Sequence, residues 1–187
     1  MTIAVQKHLF SRTDYHCLAQ TPIFREDDHI ELIEGEIIDM APLGSLHASI
    51  VTRITDIFYK QCRSQAIIRV QNPIRLGDFS EPEPDIALLR PCTDCYAQSH
   101  PSETDVLLLV EVADSSLRYD REVKIPLYAR YGIPEVWLVN VANNNIEVFL
   151  EPSPQGYQKQ FIAQPGQSLV PRSIESVSIS VKPILGL

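Results

Sequence analysis

The chain has 187 residues, of which 44% are apolar and 21% charged. This composition is typical of one globular domain, here residues 1–187, and argues against disorder. No apolar run approaches the roughly 18 residues of a membrane span, and the first residues lack a signal peptide's apolar core, so we expect a cytoplasmic protein with no membrane partner. The net charge of −8 argues against a general nucleic-acid binder. It still allows an enzyme with acidic metal ligands.

The N-terminal third predicts an arm, a hairpin and a helix. Residues 1–28 are expected to form an arm that contains a helix. In HIELIEGEIIDM (29–40), two strand-like runs flank Glu34-Gly35, which indicates a hairpin. Ser45 is the expected N-cap of a helix that ends near Gln61 and carries an apolar stripe.

The central part of the chain predicts three strands. The first lies within 66–76 and is interrupted at Pro73. Pro84 has no N–H to donate, so strand pairing should begin about at Asp85 and continue through the apolar residues 86–89. Residues 105–112 are almost continuously apolar, which is typical of a central strand covered on both faces.

A helix and further strands follow. The helix is expected from about Tyr119 to Tyr131. Because Pro126 lacks a helical donor, we expect either a kink there or a helix that properly begins near Lys124. The next strand is expected at 134–141. The step from 105 to 141 is a βαβ crossover, which predicts a parallel pair. A hairpin follows Asn143-Asn144-Asn145, and SVSISV near the C-terminus predicts a last strand. The fold class is therefore α/β (α+β), a mixed central sheet with an αβββαβ core flanked by helices and extra hairpins.

Two acidic residues stand at the ends of the predicted central strands. Glu111 lies in the apolar run VLLLVEVAD, where a carboxylate is costly to bury unless it is paired or binds a metal. Asp85 is placed at the mouth of the preceding strand. Two such carboxylates supply the oxygen ligands that Mg²⁺ or Mn²⁺ prefers. The alternative for Glu111 is a strand end that already emerges into solvent.

Lys124 is expected on the sheet-facing stripe of its helix, because Leu127, Tyr128 and Tyr131 follow it at helical spacing. If it reaches the two acids, it can stabilise the charge of a phosphate. A structural ion pair is the alternative.

Other residues are accessory candidates. His47 is either a buried structural histidine or an accessory base or metal contact. Glu34 is favoured slightly over Glu36 as a third carboxylate. Candidates for nucleic-acid contacts are Arg118, Tyr119 and Arg121, which lie in a basic stretch that is interleaved with acids and is equally compatible with a solvated helix face. The pair Cys92 and Cys95 has spacing that suits zinc or redox chemistry, but a surface loop is the favoured interpretation.

These segments resemble a known family. ELIEGEIIDM, LHASIV, EPEPDIALL, LLLVEVADSS and YDREVKIPLYARYGIPEVWLV, in this order, resemble the PD-(D/E)XK nuclease superfamily and, more closely, the Uma-two family of putative restriction endonucleases. The resemblance covers residues 29–182, the expected nuclease-like core. It maps Asp85 and Glu111 onto the motif acids. Ala113 stands where the superfamily has its lysine, and Lys124 on the following helix takes that place.

The resemblance implies a restriction-endonuclease-like sheet, Mg²⁺-dependent hydrolysis of DNA phosphodiester bonds, and a homodimer. The hypothesis is therefore a metal-dependent endodeoxyribonuclease with Asp85 and Glu111 as metal ligands and Lys124 as the catalytic cation. The alternatives are a catalytically inactive module that binds nucleic acid or a protein partner, and hydrolysis of a small phosphorylated molecule in a closed pocket.

Overall fold

The chain begins with a helix, a hairpin and a second helix. The computed structural model describes residues 6–25 and 27–187, so residues 1–5 and 26 of the expected N-terminal arm lie outside the described part. The elements in chain order are α1 (Arg12–Ala19), β1 (Ile30–Ile33), β2 (Glu36–Asp39) and α2 (Ser45–Gln61). The predicted hairpin is confirmed. Its turn residues Glu34 and Gly35 both have positive φ, 49° and 82°, as a tight two-residue turn requires.

A six-stranded mixed sheet forms the centre of the molecule, in the order β3-β4-β5-β6-β7-β8. Its strands are β3 (Ile67–Val70), β4 (Ile86–Leu89), β5 (Val106–Ala113), β6 (Glu135–Asn140), β7 (Asn145–Ser153) and β8 (Gly156–Ala163). The pair β5–β6 is parallel, as the crossover predicts, and the other neighbours are antiparallel. The αβββαβ order and the mixed sheet of the predicted fold class are confirmed.

The crossover between β5 and β6 is not one regular helix. It consists of α3 (Leu117–Tyr119), a π-helical turn (Asp120–Lys124) and α4 (Ile125–Arg130). The backbone N–H of Ile125 donates to the carbonyl of Asp120, five residues earlier. Pro126 removes one helical donor, and a wider turn just before it is one way to absorb that loss. The helix expected from Tyr119 to Tyr131 is thus irregular before Pro126. Its regular α-helical part begins at Ile125, next to the start predicted near Lys124.

Apolar side chains cover both faces of the sheet. On one face, α2 and α5 (Val181–Leu185) pack against it, and Phe58 lies 6.0 Å from Trp137 between ring centroids. On the other face, Leu127 and Tyr128 of α4 are fully buried in an apolar cluster with residues of β5, β6 and β7. The central strands are thus enclosed from both sides, which agrees with their continuous apolar sequence.

Some predicted boundaries differ from the structure. The first strand of the sheet ends at Val70, before the predicted break, because Gln71 turns the chain with a φ of 51°. Gly44, not Ser45, is the N-cap of α2. Only Ile179–Ser180 (β10) of SVSISV is a strand, paired with Ser168–Leu169 (β9) outside the main sheet, and the chain then enters α5. No helix in the described residues is long and apolar enough to cross a bilayer.

Candidate functional site

The two acids predicted at the strand ends are direct neighbours. Asp85 immediately precedes β4 and Glu111 lies near the end of β5. Because Ile86 pairs with Val110 in an antiparallel ladder, the next positions outward are these two residues. The backbone N–H of Asp85 lies 3.4 Å from Glu111 Oε2, and Asp85 Oδ2 accepts a 2.8 Å hydrogen bond from the backbone N–H of Val112.

Lys124 contacts Glu111 of this pair and Glu31 of the hairpin. Its Nζ lies 3.1 Å from Glu111 Oε1 and 3.4 Å from Glu31 Oε2, and it donates to the carbonyl of Glu83 at 3.3 Å. Lys124 is the last residue of the π-helical turn, and its side chain is buried. The structure therefore brings Asp85, Glu111 and Lys124 to one place.

Glu111 is held in an environment that disfavours its charge. It is 3% exposed, and Tyr128 donates to its Oε1 at 2.5 Å. Burial raises the pKa of Glu111 to about 8 despite the neighbouring ammonium, and the carboxylates of Asp120 and Asp85 add to the rise. Burial also disfavours the Lys124 ammonium, but the carboxylates of Glu111 and Glu31 outweigh it and raise the pKa of Lys124 above its usual value. Lys124 is therefore charged at neutral pH.

These residues line a cavity of about 350 Å³ with a strong excess of acids. Seven of its lining residues are Asp or Glu, against one Lys and one His. A concave site with that excess attracts cations. Asp120 belongs to this wall, where burial raises the pKa of its carboxyl group and Ser116 donates to it at 2.6 Å.

The donor set fits a divalent cation of the Mg²⁺ type. Asp85 Oδ1 and Glu111 Oε2 each have one long contact of 3.4 Å, so both oxygens are open to a further partner. In the described residues, no three Asp, Glu, His or Cys side chains form a ready-made metal cage. Mg²⁺ is usually held by one or two carboxylates, with water and phosphate oxygens completing its shell. Two carboxylates are therefore sufficient.

His47 and Tyr119 are the other predicted residues that line this cavity. His47, in the first turn of α2, is 7% exposed, and its Nε2 lies 3.0 Å from Asp85 Oδ2. That hydrogen bond raises the pKa of His47. Tyr119 donates to Glu31 Oε1 at 3.2 Å.

Glu34 does not reach the cavity. It occupies the hairpin turn and forms a 2.7 Å ion pair with Arg130 near the surface. Glu31, three residues earlier on β1, is the hairpin acid that enters the site. It is 2% exposed and accepts from the backbone N–H of Glu83 at 3.1 Å. The signal that could have identified Glu31 is the one used for Glu111, an acidic residue inside an apolar strand.

The two arginines proposed for nucleic-acid contacts are paired with acids. Arg118 is exposed and forms a 3.0 Å pair with Glu122 one turn along the helix. Arg121 binds the buried carboxylate of Glu147 on β7. Cys92 and Cys95 lie in a loop as free thiols.

The comparisons with known proteins identify the family and the fold of the chain. The family model described as Uma2, putative restriction endonuclease, matches residues 12–182. A crystal structure described as a putative nuclease belonging to DUF820 from Anabaena variabilis superposes with a TM-score of 0.65. The sequence identity is 16%, and the match covers 84% of this chain and 89% of that one, so it supports the shared fold. No curated protein matches the chain.

The family match extends over most of the chain and includes every residue that converges at the acidic cavity. The chain therefore belongs to the Uma2 family of putative restriction endonucleases, with a nuclease-like fold.

Proposed function

We propose that this protein is a Mg²⁺- or Mn²⁺-dependent endonuclease that hydrolyses phosphodiester bonds of DNA. The observation that carries the proposal is the convergence of Asp85, Glu111 and Lys124 from three separate elements at one acidic cavity. Burying two carboxylates and an ammonium together is costly to a fold. The binding of a cation and a phosphate at this site would account for the buried charges.

Asp85 and Glu111 would hold the cation through Asp85 Oδ1 and Glu111 Oε2. A divalent cation there supplies Lewis acidity and lowers the pKa of a bound water. Lys124 keeps its positive charge among the acids and faces the same cavity, so it stabilises negative charge on the scissile phosphate. Glu31 and the carbonyl of Glu83 hold the ammonium in place.

Cleavage of supercoiled plasmid in the presence of Mg²⁺ tests the proposal. Asp85→Asn and Lys124→Met are each expected to lower the rate at least about a hundredfold, the scale seen when one charge-stabilising group is removed. The matched controls are Asp56→Asn and Lys60→Met, which alter an exposed ion pair on α2. Cleavage that survives both site substitutions would mean a contaminant or a different site.

A non-catalytic module that binds a protein partner is the second candidate, and one observation favours it. The basic stretch offers little free positive charge, since Arg118, Arg121 and Arg130 are each paired with a glutamate. Such a module keeps the fold but takes up no Mn²⁺ at the cavity. A calorimetric titration with Mn²⁺ distinguishes this module from the proposed enzyme.

Hydrolysis of a small phosphorylated molecule remains the third candidate, because Glu111 and Lys124 are almost fully enclosed. A small chromogenic phosphodiester that is hydrolysed while plasmid stays intact would support it.

The proposed enzyme acts as a symmetric homodimer, since two active sites are the simplest way to cut both strands. Light scattering of the purified protein checks that expectation.

A further inference from the structure

The two oxygens of Asp85 have unequal surroundings. Oδ2 has two close partners, the backbone N–H of Val112 at 2.8 Å and His47 Nε2 at 3.0 Å. Oδ1 has one long contact, with Gln71 Nε2 at 3.4 Å. A carboxylate can only accept, so the contact with His47 places a hydrogen on Nε2. One oxygen of Asp85 is thus fixed within the protein, and the other is available for a ligand.

His47 is buried at its contact with Asp85. Its imidazole is 7% exposed, and within the described residues its Nδ1 has no hydrogen-bond partner. A buried polar atom without a partner destabilises a fold, and an apolar side chain at the same place would avoid that loss. Packing alone therefore does not account for a histidine here.

We propose that His47 is a positioning residue that turns Asp85 so that Oδ1 alone faces the divalent cation. This inference rests on the proposed function. A role as direct metal ligand or general base fits less well, because Nε2 is engaged by Asp85 and Nδ1 is enclosed. His47 belongs to the buried side of α2, together with Ile50 and Val51. Without the ring, Asp85 keeps one close donor, and its carboxylate is free to rotate.

Two carboxamide substitutions of different reach test the proposal. In His47→Gln, the side-chain nitrogen is as many bonds from Cα as Nε2 of histidine, so it can donate to Asp85. In His47→Asn, the same group is one bond shorter and cannot reach. Loss of a residue that orients a metal ligand typically lowers metal affinity about 10- to 100-fold.

The measurement is Mn²⁺ affinity of the full chain, from the free-ion signal in electron paramagnetic resonance, with thermal unfolding in EDTA as a separate readout. We expect His47→Gln to bind Mn²⁺ within about threefold of the native protein and His47→Asn to bind at least about tenfold more weakly. In EDTA, both variants should melt close to the native protein. A purely structural role of His47 would instead lower both melting temperatures. If His47→Asn does not fold, His47→Met supplies a variant of similar bulk without a donor.

The possible outcomes distinguish failure of the His47 positioning role from failure of the proposed function. Native protein that takes up no Mn²⁺ overturns the proposed function, and the positioning role with it. Native protein that binds Mn²⁺, together with Gln and Asn variants of equal affinity, overturns only the role of His47.

Discussion

At Glu111, a carboxylate that is costly to bury is held by two specific donors. Tyr128 donates through a 2.5 Å hydrogen bond, and Lys124 lies 3.1 Å away, both at Oε1. Oε2 meets only the long contact from the backbone of Asp85 among the described residues. The side chain is therefore oriented before any ligand arrives, which is the arrangement that a metal ligand requires.

Removing the hydroxyl of Tyr128 tests this orientation. Tyr128→Phe is expected to lower the free energy of unfolding by about 1–3 kcal/mol, because the buried Glu111 Oε1 loses one of its two donors and keeps only Lys124. It should also weaken Mn²⁺ binding about tenfold, because the carboxylate is less well oriented. The matched control is Tyr157→Phe, whose hydroxyl donates to the carbonyl of Ile133 away from the cavity. That variant should lose stability and keep its Mn²⁺ affinity. Equal affinities in the two variants would contradict the orienting role.

Glu31 and Glu34 form a second matched pair, three residues apart on one hairpin. Glu31→Gln removes a carboxylate that contacts the Lys124 ammonium, and we expect plasmid cleavage to fall at least about tenfold. Glu34→Gln breaks a largely exposed ion pair and should change stability by less than about 0.5 kcal/mol, with normal cleavage. Cleavage rates and urea denaturation check both. A larger loss of activity in Glu34→Gln would contradict the placement of these acids.

At the scale of elements, sequence patterns predicted those parts of the site that lie on strands. The missing N–H of Pro84 marked the start of β4, and the apolar run around Glu111 marked β5, so their pairing followed from general rules. Pro126 indicated an irregular helix near Lys124, but the π-helical form of the turn did not follow, because an apolar stripe at helical spacing fits an α-helix as well. The contact of Glu31 with Lys124 was also missed, since sequence spacing carries no information on how the hairpin docks against the crossover.

The π-helical turn is anchored to the sheet by Arg121, and this anchor can be tested. Arg121→Met leaves the buried carboxylate of Glu147 with only Asn140 as a side-chain donor in the described chain, so we expect a loss of about 2 kcal/mol in unfolding free energy. Arg118→Met breaks an exposed pair and should lose less than about 0.5 kcal/mol. Chemical denaturation measures both. If Arg121 instead serves DNA, its substitution should weaken DNA binding and leave stability unchanged.

For the whole molecule, the net charge constrains how the proposed DNA substrate can be bound. The net charge is −8, and the cationic side chains of the basic stretch are engaged by acids. A protein that neutralises many phosphates needs free Lys and Arg. On the proposed function, we therefore expect the chain to contact few phosphates directly and to depend on the proposed divalent cation to bring the scissile phosphate close.

The salt dependence of DNA binding measures that number of contacts. In EDTA, which removes the proposed metal, the affinity for a duplex should fall less than about twentyfold between 50 and 200 mM salt, which corresponds to about two phosphate contacts. A protein with six to ten contacts would lose affinity by a factor of about 10³–10⁵ over the same range.

The variant Glu34→Gln/Glu122→Gln frees Arg130 and Arg118 from their partners. It should bind more tightly and steepen the slope of log affinity against log salt by about one to two. Fluorescence anisotropy gives both slopes, and a steep slope in the native protein would mean that a basic surface elsewhere on the chain carries the DNA.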